Sequence, residues 1–127
     1  MSFFHSSNGV FTIAEIGGNH EGNFEYAKRL TQLACESATD AVKFQIYRGH
    51  SLVNELNDPN RLRHFQKFEL SQKQYIELAK MCHQSGKEFI ASVWDIDAIS
   101  YINDFIQIFK IGSGDLTAYN ILKSIAK

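Results

Sequence analysis

Lys43, in Val42-Lys43-Phe44-Gln45, and Lys110, in Lys110-Ile111-Gly112-Ser113, each lie in what otherwise reads as an apolar β-strand. An ammonium there is costly to desolvate unless an anion meets it. A third strand, Ile13-Ala14-Glu15-Ile16, carries Glu15 two residues before the diglycine Gly17-Gly18. Polar groups converging where parallel strands end mark the usual ligand sites of α/β folds. Gln45 shares the face of Lys43, because side chains alternate along a strand. Two readings of Lys43 stay open. It can pair with a carboxylate such as Glu15 on the adjacent strand, or it can bind a phosphate or carboxylate as a compact charge with three donors.

Lys110 repeats the pattern, followed by Gly112-Ser113-Gly114, where a hydroxyl and open backbone amides can wrap an anion. Ser92 adds a hydroxyl at the end of a further strand. Together Lys43, Ser92, Lys110 and Ser113 point to a small dianion. Asp115 can bind sugar hydroxyls or cap the helix that follows. Glu15 either faces solvent on an edge strand or serves the site. The polar, glycine-rich loop Gly17 to Gly22, with Asn19 and His20, favours the second, because such βα loops commonly hold ligands.

Strand and helix signals alternate four times around these residues. Strand one is expected over Phe11 to Ile16, and a helix capped by Asn23 carries Ala27, Leu30, Ala34 and Ala38 at helical spacing. Strand two spans Ala41 to Ile46. Tyr47 to Leu70 reads as a long, polar, irregular lid or binding loop. Ser71 and Gln74 form a capping box for a helix with Tyr75, Leu78, Ala79 and Cys82 inward, ended by Gly86. Strand three is Glu88 to Val93, and a short helix from Asp95 or Asp97 carries Ile99 and Ile102. Strand four runs Gln107 to Ile111, and a last helix begins near Thr117. This alternation predicts an α/β fold of four βα units, the first half of a TIM (β/α)8 barrel in a single domain over 1–127. A small open doubly wound domain is the competing architecture.

The 127 residues are 44% hydrophobic and 21% charged, with a formal net charge of -1. That balance gives no basic pull toward nucleic acid or anionic lipid. No apolar run approaches the roughly 20 residues of a membrane span, and Met1 to Ser7 lacks the pattern of a secretory leader. Cys35 and Cys82 read as packed thiols of a reducing cytosol, with a disulfide as the alternative. His5, His20, His50, His64 and His83 show no metal-ligand spacing, so no complete metal site is expected in the chain. The glycine motifs of nucleotide sites are absent.

In order and spacing, Ala14-Glu15-Ile16-Gly17-Gly18-Asn19-His20-Glu21-Gly22, Val42-Lys43-Phe44-Gln45, Phe89-Ile90-Ala91-Ser92 and Lys110-Ile111-Gly112-Ser113-Gly114-Asp115 resemble the N-acetylneuraminate (sialic acid) synthase family, which includes the legionaminate and pseudaminate synthases. The resemblance runs from about Phe11 to Lys127 and reaches only the N-terminal half of that family's catalytic barrel. It implies a cytoplasmic, homodimeric transferase that condenses phosphoenolpyruvate with an N-acylated hexosamine such as N-acetylmannosamine. The product would be a nine-carbon 2-keto acid, with release of phosphate. It implies catalytic roles for Glu15, Lys43 and Lys110, with Lys43, Ser92, Lys110 and Ser113 on phosphoenolpyruvate and Gln45 beside them. Glu15 and Asp115 would face the acceptor, with Asn19 and His20 in the adjoining loop. A divalent metal, manganese or magnesium, would have its ligands outside this chain. Ser92 stands where the family has threonine, Asp115 where it often has glutamate, and Val93-Trp94 where it has a small residue and proline.

Two other readings remain: a lysine-dependent aldolase-type barrel, and a non-catalytic half-barrel module that assembles through unpaired sheet edges. By itself the half-barrel is expected to be inactive.

Overall fold

A computed structural model describes residues 9–127; His5 and the Met1 to Ser7 segment, read above as lacking a leader pattern, lie outside the described residues. Four parallel strands form one sheet, β1 (Ile13–Gly17), β2 (Ala41–Ile46), β3 (Glu88–Val93) and β4 (Ile108–Phe109), in the order β1-β2-β3-β4. Between and after them run α1 (Phe24–Glu36), α2 (Gly49–Leu52), α3 (Pro59–Lys67), α4 (Gln72–Gln84), α5 (Ile96–Ile102) and α6 (Tyr119–Ile125).

Strand order equal to chain order decides between the two architectures. A doubly wound sheet reverses direction and carries helices on both faces. Here Val42, Phe44, Ile46, Phe89, Ala91 and Val93 share one buried cluster with Ala27 of α1, Leu78 of α4 and Ile99 of α5, and α6 adds Ile121 and Ile125. The main helices therefore cover one face of the sheet, as in half of a (β/α)8 barrel.

Local chemistry explains the borders. The Asn23 side chain accepts from the Tyr26 N–H, and Ser71 and Gln74 complete the capping box of α4. β1 starts two residues later than expected. α1 ends at Glu36, so Ala38 falls outside it and is exposed. β2 and β3 have the expected bounds, whereas β4 is only two residues long and α6 begins at Tyr119 rather than near Thr117.

The larger correction concerns 47–70, which holds two helices instead of an irregular loop. Asp58 caps α3 by accepting from the Arg61 N–H, and Pro59 occupies its first turn, where the missing N–H costs nothing. Leu62 is the one fully buried residue of α3, so its apolar signal is faint.

β1 carries a register irregularity between Glu15 and Gly17. Gly17 has φ +55°, and a Cβ there would lie 2.9 Å from Glu15 Oε1, so the irregularity requires glycine beside that carboxylate. From the opposite side of the sheet, the buried Tyr75 hydroxyl donates to the carbonyl of Gln45 at 2.9 Å. No helix among the described residues is long and apolar enough to cross a membrane.

Candidate active site

Parallel register sets Glu15 opposite Lys43 and Gln45 opposite Ser92. Ala91 pairs with Phe109, and the Lys110 N–H donates to the Ala91 carbonyl at 2.9 Å, which puts Lys110 one step on, beside Ser92. Opposed residues of parallel strands point to the same side. Glu15, Lys43, Gln45, Ser92 and Lys110 therefore form a polar row on the face away from the helices, toward the C-terminal strand ends.

The first half of the row is already paired. Lys43 is buried, and its ammonium donates to Glu15 Oε2 at 2.5 Å. The Lys43 side chain is 10% exposed and that of Glu15 48%. This is the structural alternative for Lys43, but it consumes one of three ammonium donors. Ser92 is buried opposite Gln45, while Lys110 and Ser113 are exposed. A Cβ placed on Gly112 would lie 3.7 Å from Lys110 Nζ and 2.5 Å from Asp115 Oδ2, so the second amine and the carboxylate face each other across a bare glycine.

Asp115 does not cap α6, the helix that follows, but closes the single 3-10 turn Ser113–Asp115 that Gly112 opens. Its Oδ2 accepts from the Gly112 N–H at 3.1 Å and from the Trp94 indole at 2.7 Å, tying the end of β3 to the turn after β4. Asn19 is exposed. His20 is buried inside its own loop, where Nδ1 accepts from the Gly22 N–H at 3.1 Å. Burial lowers the His20 pKa from its ordinary value, and a hydrogen bond to the Gly17 backbone opposes this in part. His20 thus holds the β1–α1 loop together from within.

Sequence reasoning passed over the residues that roof the site. Tyr47 lies against Trp94, with ring centroids 5.7 Å apart, and Phe65 of α3 stands edge-on to Tyr47 at 5.5 Å. The Arg61 guanidinium lies 5.7 Å from the Phe65 ring. Arg61, Phe65 and Trp94, with Gln45, Leu52 and Asp115, bound a cavity of about 240 Å³. The Asp58-Pro59 helix start was the available signal for α3. A tryptophan directly after β3 was the signal for the roof.

Among the described residues no three His, Cys, Asp or Glu side chains converge to hold a metal ion. The divalent cation that the resemblance implies finds no such set of ligands within 9–127.

The NeuB family profile matches residues 30–127. The chain belongs to the NeuB family. Similar to this NeuB-family chain are the N,N'-diacetyllegionaminic acid synthase of Campylobacter jejuni, 34% identical over 91% of the chain and 38% of that protein, and the human N-acetylneuraminate-9-phosphate synthase, 33% identical over 92% and 36%. A crystal structure of the N-acetylneuraminic acid (sialic acid) synthetase of Leptospira borgpetersenii in complex with citrate matches with a TM-score of 0.83 at 26% identity, covering 91% of this chain and 40% of that one. The NeuB-family chain thus spans less than half the length of the relatives it matches.

Proposed function

We propose that this chain supplies the phosphoenolpyruvate- and acceptor-facing half of a sugar-acid synthase, a transferase that joins phosphoenolpyruvate to an N-acylated hexosamine with release of phosphate. The observation that carries this reading is the single polar row in which Lys43, Ser92 and Lys110 share one face at the strand ends. Lys43 keeps two donors after Glu15 takes one, and Lys110 makes no ion pair or hydrogen bond of its own through its amine among the described residues. A small dianion fits between them, with the Ser92 and Ser113 hydroxyls and Gln45 as neutral partners. As carbon three of the enol attacks the acceptor aldehyde, water adds to carbon two and phosphate then leaves from it, and fixed positive charge stabilises the developing alkoxide and the departing phosphate. Glu15 and Asp115 face the acceptor, with Asn19 and the loop that His20 holds at the rim.

In this reading the manganese or magnesium ion is bound beyond this chain, and the intact enzyme is a cytoplasmic homodimer. The chain alone therefore binds phosphoenolpyruvate without turning it over. Engagement of the Lys43 ammonium by Glu15 argues against that lysine as a Schiff-base nucleophile, so borohydride with pyruvate should trap no adduct.

The test is a titration of phosphoenolpyruvate into the chain, followed by backbone amide resonances. Saturable shifts at Lys43, Ser92 and Gly112 to Gly114 are expected, and Lys110→Ala should weaken binding about tenfold or more, the scale of one charged hydrogen bond. Absence of such shifts would remove the donor-site assignment. Phosphate release by the chain alone would refute the claim that it is catalytically incomplete.

A further inference from the structure

The C-terminal ends of α1 and α4 are fastened to each other by one residue. The Lys87 ammonium donates to the Ser37 carbonyl at 3.3 Å and to the Thr39 carbonyl at 2.6 Å, just past α1. The Lys87 backbone N–H donates to the Cys82 carbonyl at 2.9 Å. The last turn of α1, which holds Cys35, is thereby drawn to the last turn of α4, which holds Cys82. Small side chains line this seam. Ala27, Ala79 and Cys82 share the buried cluster, and Ala34 and Cys35 pack against it, so the two helices can approach closely.

We infer that Cys35 and Cys82 are a two-electron redox pair, which a low-molecular-weight disulfide closes into a cross-link between α1 and α4. Both are free thiols in the structure, and each is the hydrogen-bonding neighbour of the other. Their access differs. Cys35 is half-buried and opens on a groove of about 340 Å³, walled by Gln32 and Glu36 from α1 and by Met81, Gln84 and Ser85 from α4. Cys82 is fully buried, and burial pushes its thiol pKa up, with the Cys35 sulfur adding to the effect. The accessible sulfur therefore reacts first, and the buried one resolves.

The exchange needs no further group from the protein. Cys35 gives its proton to solvent, and its thiolate attacks one sulfur of glutathione disulfide, forming a mixed disulfide and expelling one glutathione thiolate. Cys82 then loses its proton, and its thiolate attacks the Cys35 sulfur, expelling the second glutathione thiolate. The chain is oxidised by two electrons, and one glutathione disulfide is reduced to two glutathiones. Scarcity of thiolate at Cys82 makes the second attack the slow one.

The cross-link lies at the other end of the sheet from the polar row. Helices of parallel βα units run back against their strands, so these helix ends sit beside the strand starts. Thr39 marks the level, because its hydroxyl donates to the Thr12 carbonyl ahead of β1 at 3.1 Å. That end of a barrel serves stability, and the opposite end serves chemistry. Closing the pair stiffens the chain and leaves Lys43 and Ser92 where they are.

The test treats the folded chain with excess glutathione disulfide, quenches it in acid and reads the intact mass. The parent chain should lose two hydrogens, carry no glutathione and yield a peptide linking Cys35 to Cys82. Its melting temperature should rise by about 5–10 °C, and dithiothreitol should reverse both changes. Cys82→Ala should stop with one glutathione on Cys35. Cys35→Ala, at the half-buried position, should take up none, which keeps the inference falsifiable should Cys82→Ala fail to fold. Backbone amide resonances should shift on oxidation at the ends of α1 and α4 and stay unmoved at Lys43 and Ser92.

A parent chain that ends with glutathione on Cys35 and a free Cys82 would overturn the pair. So would a covalent dimer through Cys35, glutathione on Cys82 in Cys35→Ala, or no change in mass. Resonance shifts at Lys43 or Ser92 would overturn the separation of the cross-link from the polar row.

Discussion

Lys43 and Glu15 form an ion pair whose two ends live in different solvents: the Lys43 side chain is 10% exposed and that of Glu15 48%. The pair is therefore unequal under substitution. Removing the cation, as in Lys43→Met, leaves a carboxylate that water can reach, and should cost no more than about 1 kcal/mol. Removing the anion, as in Glu15→Gln, leaves a buried ammonium without a counter-charge and should cost about 2–3 kcal/mol. Urea unfolding of the two variants checks the order. Equal losses would mean that the strand tolerates the bare ammonium.

His20 makes the β1–α1 loop sensitive to acid. Burial holds its folded-state pKa below the unfolded value of 6.5, so the unfolded chain binds the proton more readily. Stability from this group is complete above about pH 6.5 and is lost as pH falls from there toward the folded-state pKa. His20→Gln cannot titrate, so its melting temperature should fall less than that of the parent between about pH 7.5 and 5.5. Parallel curves would remove the effect from His20.

Gly22 packs directly against the end of α3. Its φ is +75°, and a Cβ there would lie at 2.0 Å from the Lys67 carbonyl oxygen. Gly22→Ala combines left-handed strain with a backbone clash and should cost about 2–4 kcal/mol. Calorimetry gives the loss, and hydrogen exchange should place it at the loop and the end of α3.

The two thiols should react in sequence. Cys82 is fully buried, and burial, with the neighbouring Cys35 thiol, pushes its pKa up; Cys35 is only half-buried. Brief iodoacetamide treatment at mildly alkaline pH should alkylate Cys35 alone, with Cys82 modified only after denaturant is added. Mass spectrometry of the intact chain reads the count. Simultaneous modification would show that the seam between α1 and α4 opens readily.

What the sequence showed, and what it hid, follows from how each segment is held. β2 and β3 sit at the centre of the sheet, paired on both sides, and their continuous apolar alternation marked their ends correctly. The Asn23 and Ser71 caps were legible because a cap is a local bond between neighbouring residues. α3 escaped because Leu62 alone is fully buried there, so periodicity carried little signal. At the site, alternation along β2 was enough to pair Gln45 with Lys43. Nothing local could show that Trp94 would meet a carboxylate 21 positions later, because that bond exists only once β3 and β4 are side by side.

The hydrogen bond from Tyr75 to the Gln45 carbonyl runs through the sheet from the helix layer. Its acceptor belongs to the residue whose side chain lies beside Ser92 in the polar row. The chemical surface of this protein can therefore be tuned from its back. Repacking α4, on the far side of the sheet, would move one peptide plane and with it the floor of the polar row.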